Sequence, residues 1–383
     1  MFVLCISVAL SQDWITEIGD PVELTQGGTW ARAIPTEEGW KIGLGGGDYF
    51  RIASLTKVGN SLEDWILEEP VVITDRSDLL LTDHAIKKCP DGSFLHVASI
   101  RSPEQESPSA YTWHYDQGFE ILSSGFVAKN SEIHQFNDPA LLCSHLVQGV
   151  GSSIQGDAFG NHFFHLNESE IEEVVEIKQY PRLNGGGMIT DVFKNRIYAL
   201  GMDYNRPLQI NVLDESLNFL RKHRVDLSEA GKRAYWPQGV IQIGAYFLVS
   251  YMVRDDDWLG GDQGDVRLAV FSSSWKLEKV YEITSFEESA AMRPWVARSG
   301  DQLLISFDAY TKHMLVEARL DLAAFGLERD VVDTGVRPQD WDFENQSPKE
   351  SGRCQYTPNA QNTYSLIVFC LCLFGLRRTR SLS

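Results

Sequence analysis

Aspartates and tryptophans recur at the starts of short apolar stretches along the chain. Asp83 stands in the stretch TDHAIKKC, Asp138 in NDPALLCS, and Trp236 in YWPQGVIQ. A pair of carboxylates can cleave a glycosidic bond, and the faces of indole rings stack on sugar rings. These residue types therefore indicate chemistry on a glycan, provided that the fold brings the stretches to one place.

Six stretches of this kind recur with a nearly constant period. Their anchor residues are Trp30, His84, Asp138, Gly187, Trp236 and Arg293. Successive anchors are separated by 54, 54, 49, 49 and 57 positions. Turn signals such as DG and SGD follow most of them, and later segments alternate apolar and polar residues as half-buried strands do. Four strands in each unit of about fifty residues predict one all-β domain, a single β-propeller with six four-stranded antiparallel blades. Five blades are the alternative, because residues 138–175 lack a clean second strand.

The first segment of the domain has a predicted place in this ring. DWITEIGDPVEL precedes the first stretch, TWARAIPT, where other units carry their outermost strand. We expect it to complete the last blade by pairing beside RLDLAAFGL, since mixing both termini in one blade leaves no open edge.

Propellers bind ligands where the innermost strands begin, around the central channel. We therefore predict a ligand-binding ring formed by Trp30, Arg32, Asp83, His84, Asn137, Asp138, Asp191, Trp236, Arg293 and Trp295. The alternative is that these residues only cap the backbone and line a wet channel.

The strand entries TDHA and NDPA resemble those of five-bladed arabinanase-type glycosidases, in which acids on successive blades serve as base, pKa modulator and acid. That resemblance implies catalytic roles for Asp83 and Asp138. The general acid of the family is a glutamate at the start of a later inner strand, and here those strands begin GGM, YWP and MRP. The sequence therefore favours a binding or recognition module for glycan or protein over the alternative of a glycosidase-like hydrolase. A passive structural protein of the cell surface is the third hypothesis.

One acidic loop could hold a hard cation. VRDDDWLGGDQGDV supplies carboxylates that suit a weak extracellular calcium site, namely Asp255, Asp256, Asp257, Asp262 and Asp265. A solvated acidic loop is the alternative, and we predict no other cofactor. The net charge of −19, without a basic stripe, argues against nucleic acid as a partner.

Both ends of the chain indicate export. Residues 1–11, MFVLCISVALS, are predicted to be a signal peptide that signal peptidase cuts after Ser11, the alternative being a buried first strand. The propeller is expected over residues 12–334, a flexible stalk over 335–362 and an apolar tail with an arginine-rich stop over 363–383. If the tail is a membrane anchor, these arginines are expected on the cytoplasmic side of the membrane.

Cys354, a polar spacer, the apolar tail and RRTR resemble the bacterial sorting tails called MYXO-CTERM, relatives of the PEP-CTERM and GlyGly-CTERM signals. The resemblance implies cleavage near Cys354 by a sortase-like protease and display on the outer surface of a bacterial cell. A plain C-terminal membrane anchor is the alternative. Within the domain, Cys89 and Cys143 form either a disulfide or two buried thiols.

Overall fold

The structure is a computed structural model that describes residues 13–327, except 27–28, 46–48, 75–79, 102–108, 127–135, 144–147, 155–159, 167–170, 178–185, 203–206, 230, 256–263, 287–290 and 310–311. In several strands only the backbone is described. The chain divides into two units. The unit Gln12–Pro338 holds all the described residues, and Met1–Ser11 with Gln339–Ser383 form the other. The predicted processing sites Ser11 and Cys354, the stalk and the apolar tail lie outside the described residues.

Twenty-six strands make up the described part of the chain. The first half comprises β1 Ile15–Ile18, β2 Val22–Gln26, β3 Thr29–Thr36, β4 Gly39–Gly45, β5 Arg51–Lys57, β6 Trp65–Leu67, β7 Val71–Val72, β8 Leu80–Lys88, β9 Phe94–Arg101, β10 Ser109–Tyr115, β11 Ile121–Phe126, β12 Phe136–Cys143 and β13 Gln148–Ile154. The second half comprises β14 Gly160–Leu166, β15 Ile171–Ile177, β16 Gly186–Asp191, β17 Arg196–Gly201, β18 Leu208–Leu213, β19 Phe219–Val225, β20 Lys232–Ile243, β21 Tyr246–Asp255, β22 Gly264–Ser272, β23 Leu277–Glu282, β24 Ala291–Ser299, β25 Gln302–Ala309 and β26 Lys312–Leu320.

The strands pair in sequence order into six antiparallel sheets. Sheet 1 contains β3–β7, sheet 2 β8–β11, sheet 3 β12–β15, sheet 4 β16–β19, sheet 5 β20–β23, and sheet 6 β24–β26 with β1 and β2. The first strands of successive sheets contact one another, and β24 contacts β3, so these inner strands close a ring. The prediction of an all-β propeller is confirmed.

The N-terminal segment joins the last sheet as predicted. Ile15 of β1 pairs with Leu320 of β26, and Val22 of β2 pairs with Leu315. The predicted partner segment RLDLAAFGL is a strand only at its start, because the chain beyond Leu320 continues in turns. Tyr281 of sheet 5 holds the entering chain, since its hydroxyl accepts hydrogen bonds from the backbone N–H groups of Trp14 at 2.9 Å and Ile15 at 3.3 Å.

Neighbouring sheets pack face to face through large apolar side chains. Between sheets 4 and 5, Trp275 stacks on Phe247 with ring centroids 4.6 Å apart and meets Tyr198 edge-on at 5.1 Å. All three side chains are buried, in a cluster that continues through Leu208 and Val249. Such burial stabilises by about 25 cal/mol for each Å² of apolar surface removed from water. The ring is therefore held by its sheet-to-sheet contacts.

A disulfide links neighbouring inner strands. Cys89 directly follows β8 and Cys143 ends β12, and their Cα atoms are 5.1 Å apart. Of the two alternatives open from the sequence, the structure shows the bridge. We call the edge of the ring where the inner strands begin the entry face, and the opposite edge, where this disulfide lies, the exit face.

No helix within the described residues is both long and apolar enough to cross a membrane.

Candidate functional site

Irregular register marks the beginning of five of the six inner strands. The pairing shifts at Thr29/Ala31 in β3, Leu81/Asp83 in β8, Asn137/Ala140 in β12, Tyr235/Gly239 in β20 and Met292/Trp295 in β24. A β-bulge re-aims the side chains next to it, and bulges concentrate beside binding sites. The entry face is thus built differently from the regular sheets behind it.

Three of these bulges place a large residue in the left-handed region of backbone space. Trp30 has φ 71°, Trp236 φ 47° and Arg293 φ 55°. For an L-residue other than glycine this conformation costs about 1–2 kcal/mol. Such strain persists where the surrounding structure enforces it, and it clusters at functional sites.

The side chains at these bulges form one alternating column, which we call the Trp–Arg stack. The Arg293 guanidinium lies 4.7 Å from the ring centroid of Trp30 and 5.6 Å from that of Trp236. The Arg32 guanidinium lies 4.8 Å from the ring centroid of Trp30 and 5.0 Å from that of Trp295. Each cation–π contact contributes about 0.5–2 kcal/mol, more where water is excluded.

Arg32 ties three sheets together in the buried part of the stack. It is 1% exposed. Its Nη1 donates to the Arg293 carbonyl at 3.0 Å, and its Nη2 donates to Gln238 Oε1 at 3.0 Å. Because Arg32, Gln238 and Arg293 belong to sheets 1, 5 and 6, this network fixes the sheets where the ring closes.

Asp308 supports the strained backbone from beneath. Its fully buried carboxylate accepts hydrogen bonds from the N–H of Trp30 at 2.7 Å and of Ala31 at 3.3 Å. Arg293 Nη1 lies 3.5 Å away, and His313 Nδ1 donates to the other oxygen at 3.1 Å. The carboxylate therefore satisfies the backbone of the bulge and counters the charge of Arg293.

Two neutral histidines lie under the stack. His84 Nε2 donates to the Trp30 carbonyl at 2.6 Å, and His96 stacks on Phe50 at 4.0 Å. Burial, with smaller contributions from His96 and Arg32, holds the pKa of His84 well below its usual value. Burial lowers the pKa of His96 to about 3. Neither His84 Nδ1 nor His96 Nε2 has a hydrogen-bond partner within the described part of the chain.

The structure brings together six of the predicted ring residues, which are Trp30, Arg32, His84, Trp236, Arg293 and Trp295. Asp83, Asn137 and Asp138 lie beside the bulges of β8 and β12, where the backbone is described and their side chains are not.

The placement predicted for Asp191 is wrong. It is the last residue of β16, on the exit face, and accepts hydrogen bonds from the N–H of Phe193 at 3.0 Å and from Gln242 Nε2 at 3.1 Å. The stretch GGMITDVF enters its strand at the glycines with a continuous register, so its aspartate falls at the far end.

The predicted calcium loop is described only at its two ends. Asp265 is buried and accepts hydrogen bonds from Lys232 Nζ at 3.0 Å and from the N–H of Phe286 at 2.8 Å, so protein donors occupy its carboxylate. Asp255 ends β21, and Asp256, Asp257 and Asp262 lie outside the described residues. In the part that is described, no three His, Cys, Asp or Glu side chains form a group suited to a metal.

Sequence reasoning missed the residues that support the stack. Gln238 and Asp308 contact residues more than two hundred positions away, so no local pattern identifies them. The sequence contained a weak indication for Gln238, because it stands two positions after the predicted site residue Trp236, in the same strand entry.

The exposed side chains of the stack determine which ligands it can bind. Trp236, Arg293 and Trp295 are partly exposed, whereas Trp30 and Arg32 are buried. Indole faces beside a guanidinium offer apolar contact together with a few fixed hydrogen-bond donors, the usual make-up of a site for a small polar ligand.

Comparison with solved structures supports the fold. An α-L-arabinanase from Penicillium chrysogenum in complex with arabinobiose superposes with a TM-score of 0.53 at 14% identity, over 80% of this chain and 99% of that one. An α-L-arabinofuranosidase from Fusarium graminearum in complex with an iminosugar inhibitor gives 0.53 at 13% identity, over 80% and 98%.

No protein-family model matches the chain, and no curated protein matches it in sequence. The similarity to the two fungal proteins is one of fold: the described part of this chain is a β-propeller like theirs.

Proposed function

We propose that the protein is a glycoside hydrolase that acts at the entry face, with Asp83 and Asp138 as its carboxylate pair. The observation that carries this proposal is their position beside the bulges that begin the neighbouring inner strands β8 and β12. Trp30, Trp236 and Arg293 occupy the corresponding bulges of three other sheets. The similarity in fold to an arabinanase and an arabinofuranosidase supports the same proposal and names arabinose-containing glycans as the first substrates to test.

The roles follow from the chemistry of the residue types. One aspartate donates a proton to the leaving oxygen, while the other activates water or attacks the sugar. Trp236 and Trp295 provide faces for the sugar ring, and Arg293 donates hydrogen bonds to its oxygens.

The test is turnover of arabino-oligosaccharides by the full chain and by two variants, Asp83→Asn and Asp138→Asn. We expect each variant to lose about 100-fold or more in kcat, the usual contribution of a positioned acid or base. Asp301→Asn is the matched control, because Asp301 is exposed and lies in the β24–β25 hairpin on the exit face. Turnover that survives in both entry-face variants contradicts the proposal.

A binding module is the second candidate, and one observation favours it. Asp308, the only carboxylate whose contacts with the stack are described, is fully buried and already accepts from Trp30, Ala31 and His313. If arabino-oligosaccharides bind without being cleaved, and Trp236→Ala abolishes binding, the module replaces the hydrolase. Absence of both binding and cleavage supports a passive surface protein.

We also infer that each of the six sheets is one blade. The supporting observation is that six inner strands contact one another in a closed ring.

Export and attachment to the cell surface are part of the same proposal. The Cys89–Cys143 disulfide supports it, because disulfides persist mainly in oxidising compartments. Mass spectrometry of the mature protein tests it: we expect an N-terminus at Gln12 and a C-terminus near Cys354. A chain that still begins at Met1 contradicts the signal peptide, and one that still ends at Ser383 favours the plain anchor.

A further inference from the structure

A lysine reaches across the ring below the Trp–Arg stack. Lys87 belongs to β8 in sheet 2, and its Nζ donates to the carbonyl of Met188 in β16, at 3.1 Å. Sheet 3 lies between these two sheets in the order of the ring. The side chain therefore passes the inner strand of its neighbour and ends at the inner strand after it.

The acceptor of this ammonium is connected to the base of the stack by a series of contacts. Met188 follows Gly187, where an added Cβ would fall 2.8 Å from the carbonyl oxygen of Gln238. Gln238 in turn holds Arg32 of the stack through its side-chain oxygen. This series of direct contacts leads from Lys87 to the base of the stack.

The ammonium of Lys87 has one hydrogen-bond partner among the described residues. The Met188 carbonyl oxygen accepts a hydrogen bond from one of the three N–H groups of Lys87. No carboxylate among the described side chains forms an ion pair with this ammonium. Burial lowers the pKa of this ammonium to about 8. The residue as a whole is partly exposed.

An ammonium that is partly removed from water is costly unless a negative charge pairs with it, and a bound anion lowers that cost. We propose that Lys87 is the centre of an anion site in the channel, which takes the carboxylate of a small acid or of a uronic acid unit in a glycan. The site goes beyond the proposed hydrolysis and can hold whether or not the protein cleaves glycans.

The experiment uses the full chain at low salt and three probes, measured by titration calorimetry: D-galacturonate, acetate and neutral D-galactose. We expect the two carboxylates to bind and galactose to bind at least tenfold more weakly, because a charged partner strengthens a hydrogen bond to the ammonium. Tighter binding of galacturonate than of acetate identifies the sugar-borne carboxylate as the ligand, and equal binding identifies a free small acid.

Two variants locate the site. Lys87→Met keeps the length of the side chain, removes the charge and is expected to weaken galacturonate binding at least tenfold. Lys88→Met is the matched control, because the next residue of a strand points to the other face. Equal galacturonate affinity in wild type and Lys87→Met overturns the proposal.

A measurement on the wild-type protein needs no variant. Saturating galacturonate should slow the acetylation of Lys87 by acetic anhydride at least fivefold, read by mass spectrometry, while Lys88 reacts at an unchanged rate. Binding of galacturonate without protection of Lys87 overturns the proposal.

Asp83→Asn and Asp138→Asn test the remaining explanation, in which one of these carboxylates neutralises the lysine. We expect both variants to change galacturonate affinity by less than threefold. A tenfold gain in either variant shows that the lysine is paired within the chain, and this also overturns the anion site.

Discussion

The two faces of the ring use left-handed backbone in different ways. On the exit face, the described hairpins after the inner strands carry glycine or asparagine at these positions, with φ 87° at Gly92, 48° at Asn195, 54° at Gly244 and 60° at Gly300. At the described bulges of the entry face the left-handed residues are Trp30, Trp236 and Arg293. Glycine adopts this conformation without strain, whereas tryptophan and arginine do not.

Other hairpins of the exit face carry large residues in this conformation and show what usually offsets such strain. Phe119, Leu217 and Trp275 also have positive φ, in the hairpins between the third and fourth strands of sheets 2, 4 and 5. Each is at most 8% exposed and inserts into the apolar core of its sheet. Burial of a large side chain contributes about 1.5–3 kcal/mol, enough to offset the backbone cost.

Trp236 and Arg293 lack that full compensation, because both remain partly exposed. A residue that costs stability and keeps its side chain at the surface is the kind that function explains. The comparison therefore supports the proposal that the entry face is the functional face, independently of the two aspartates.

The largest expected contrast is between two tryptophans in the same backbone conformation. Trp275→Ala removes a ring that packs on Phe247 and Tyr198, so we expect the free energy of unfolding to fall by about 3–5 kcal/mol. Trp236→Ala should cost less than half as much, because part of its ring is already in water. Urea unfolding of both variants measures the difference.

Ligand binding should show the reverse order. Trp275→Ala protein that is folded should bind arabino-oligosaccharides as the wild type does, whereas Trp236→Ala should lose at least tenfold in affinity. Equal losses of stability and equal affinities in the two variants would remove the distinction between the faces.

A second contrast concerns the carboxylates that support the turns. Asp308→Asn removes the charged acceptor of the Trp30 N–H, and we expect it to cost about 2–3 kcal/mol in the free energy of unfolding. Asp91→Asn on the exit face changes a partly exposed acceptor of the Ser93 N–H at 3.0 Å and should cost about 1 kcal/mol or less. Urea unfolding that ranks the two variants in the opposite order contradicts the role assigned to Asp308.

Much of the entry face could be predicted because a repeating unit puts equivalent residues in equivalent places. Aligning the six stretches placed Trp30, Trp236 and Arg293 on one face without any knowledge of their contacts. The same alignment misplaced Asp191, because its stretch enters the strand at glycines and without a bulge.

The supporting residues could not be predicted, because their partners are distant in sequence. Asp308 accepts from Trp30 across 278 positions, and Lys87 meets Met188 across 101. Periodicity identifies which residues share a face, whereas side-chain pairing across the ring depends on how the blades pack.

Acid should weaken the entry face through its buried histidines. The folded-state pKa of His96 is about 3 and that of His84 is also depressed, while an exposed histidine titrates near 6.5. The unfolded chain therefore binds these protons first, so stability is complete above about pH 6.5. As the pH falls from 6.5 toward 3, we expect His96 to reduce the stability by up to about 1.4 kcal/mol per pH unit, and His84 to act in the same direction.

His96→Phe keeps a ring between Phe50 and Trp113 and removes one of the two titrating groups. Its free energy of unfolding, measured between pH 7 and 5, should fall less steeply than that of the wild type. Tyr115→Phe is the control, since it removes the 3.4 Å contact with His96 Nδ1 and leaves the histidine in place. Identical pH slopes in His96→Phe and wild type would show that His96 does not contribute to the acid sensitivity.

The smallest expected effects come from the left-handed backbone itself, which opposes a side chain on both faces. Gly300→Ala meets no atom within 4 Å of its new Cβ, so only the backbone conformation at φ 60° opposes it. We expect a loss of about 1 kcal/mol in the free energy of unfolding. Arg293→Gly relieves a similar strain but also gives up cation–π contacts with Trp30 and Trp236, so its net loss should be smaller than that of Arg293→Ala by about 1 kcal/mol. If thermal and urea unfolding place Arg293→Gly below Arg293→Ala, the left-handed backbone at this bulge is not strained, and Arg293 then owes its place to packing alone.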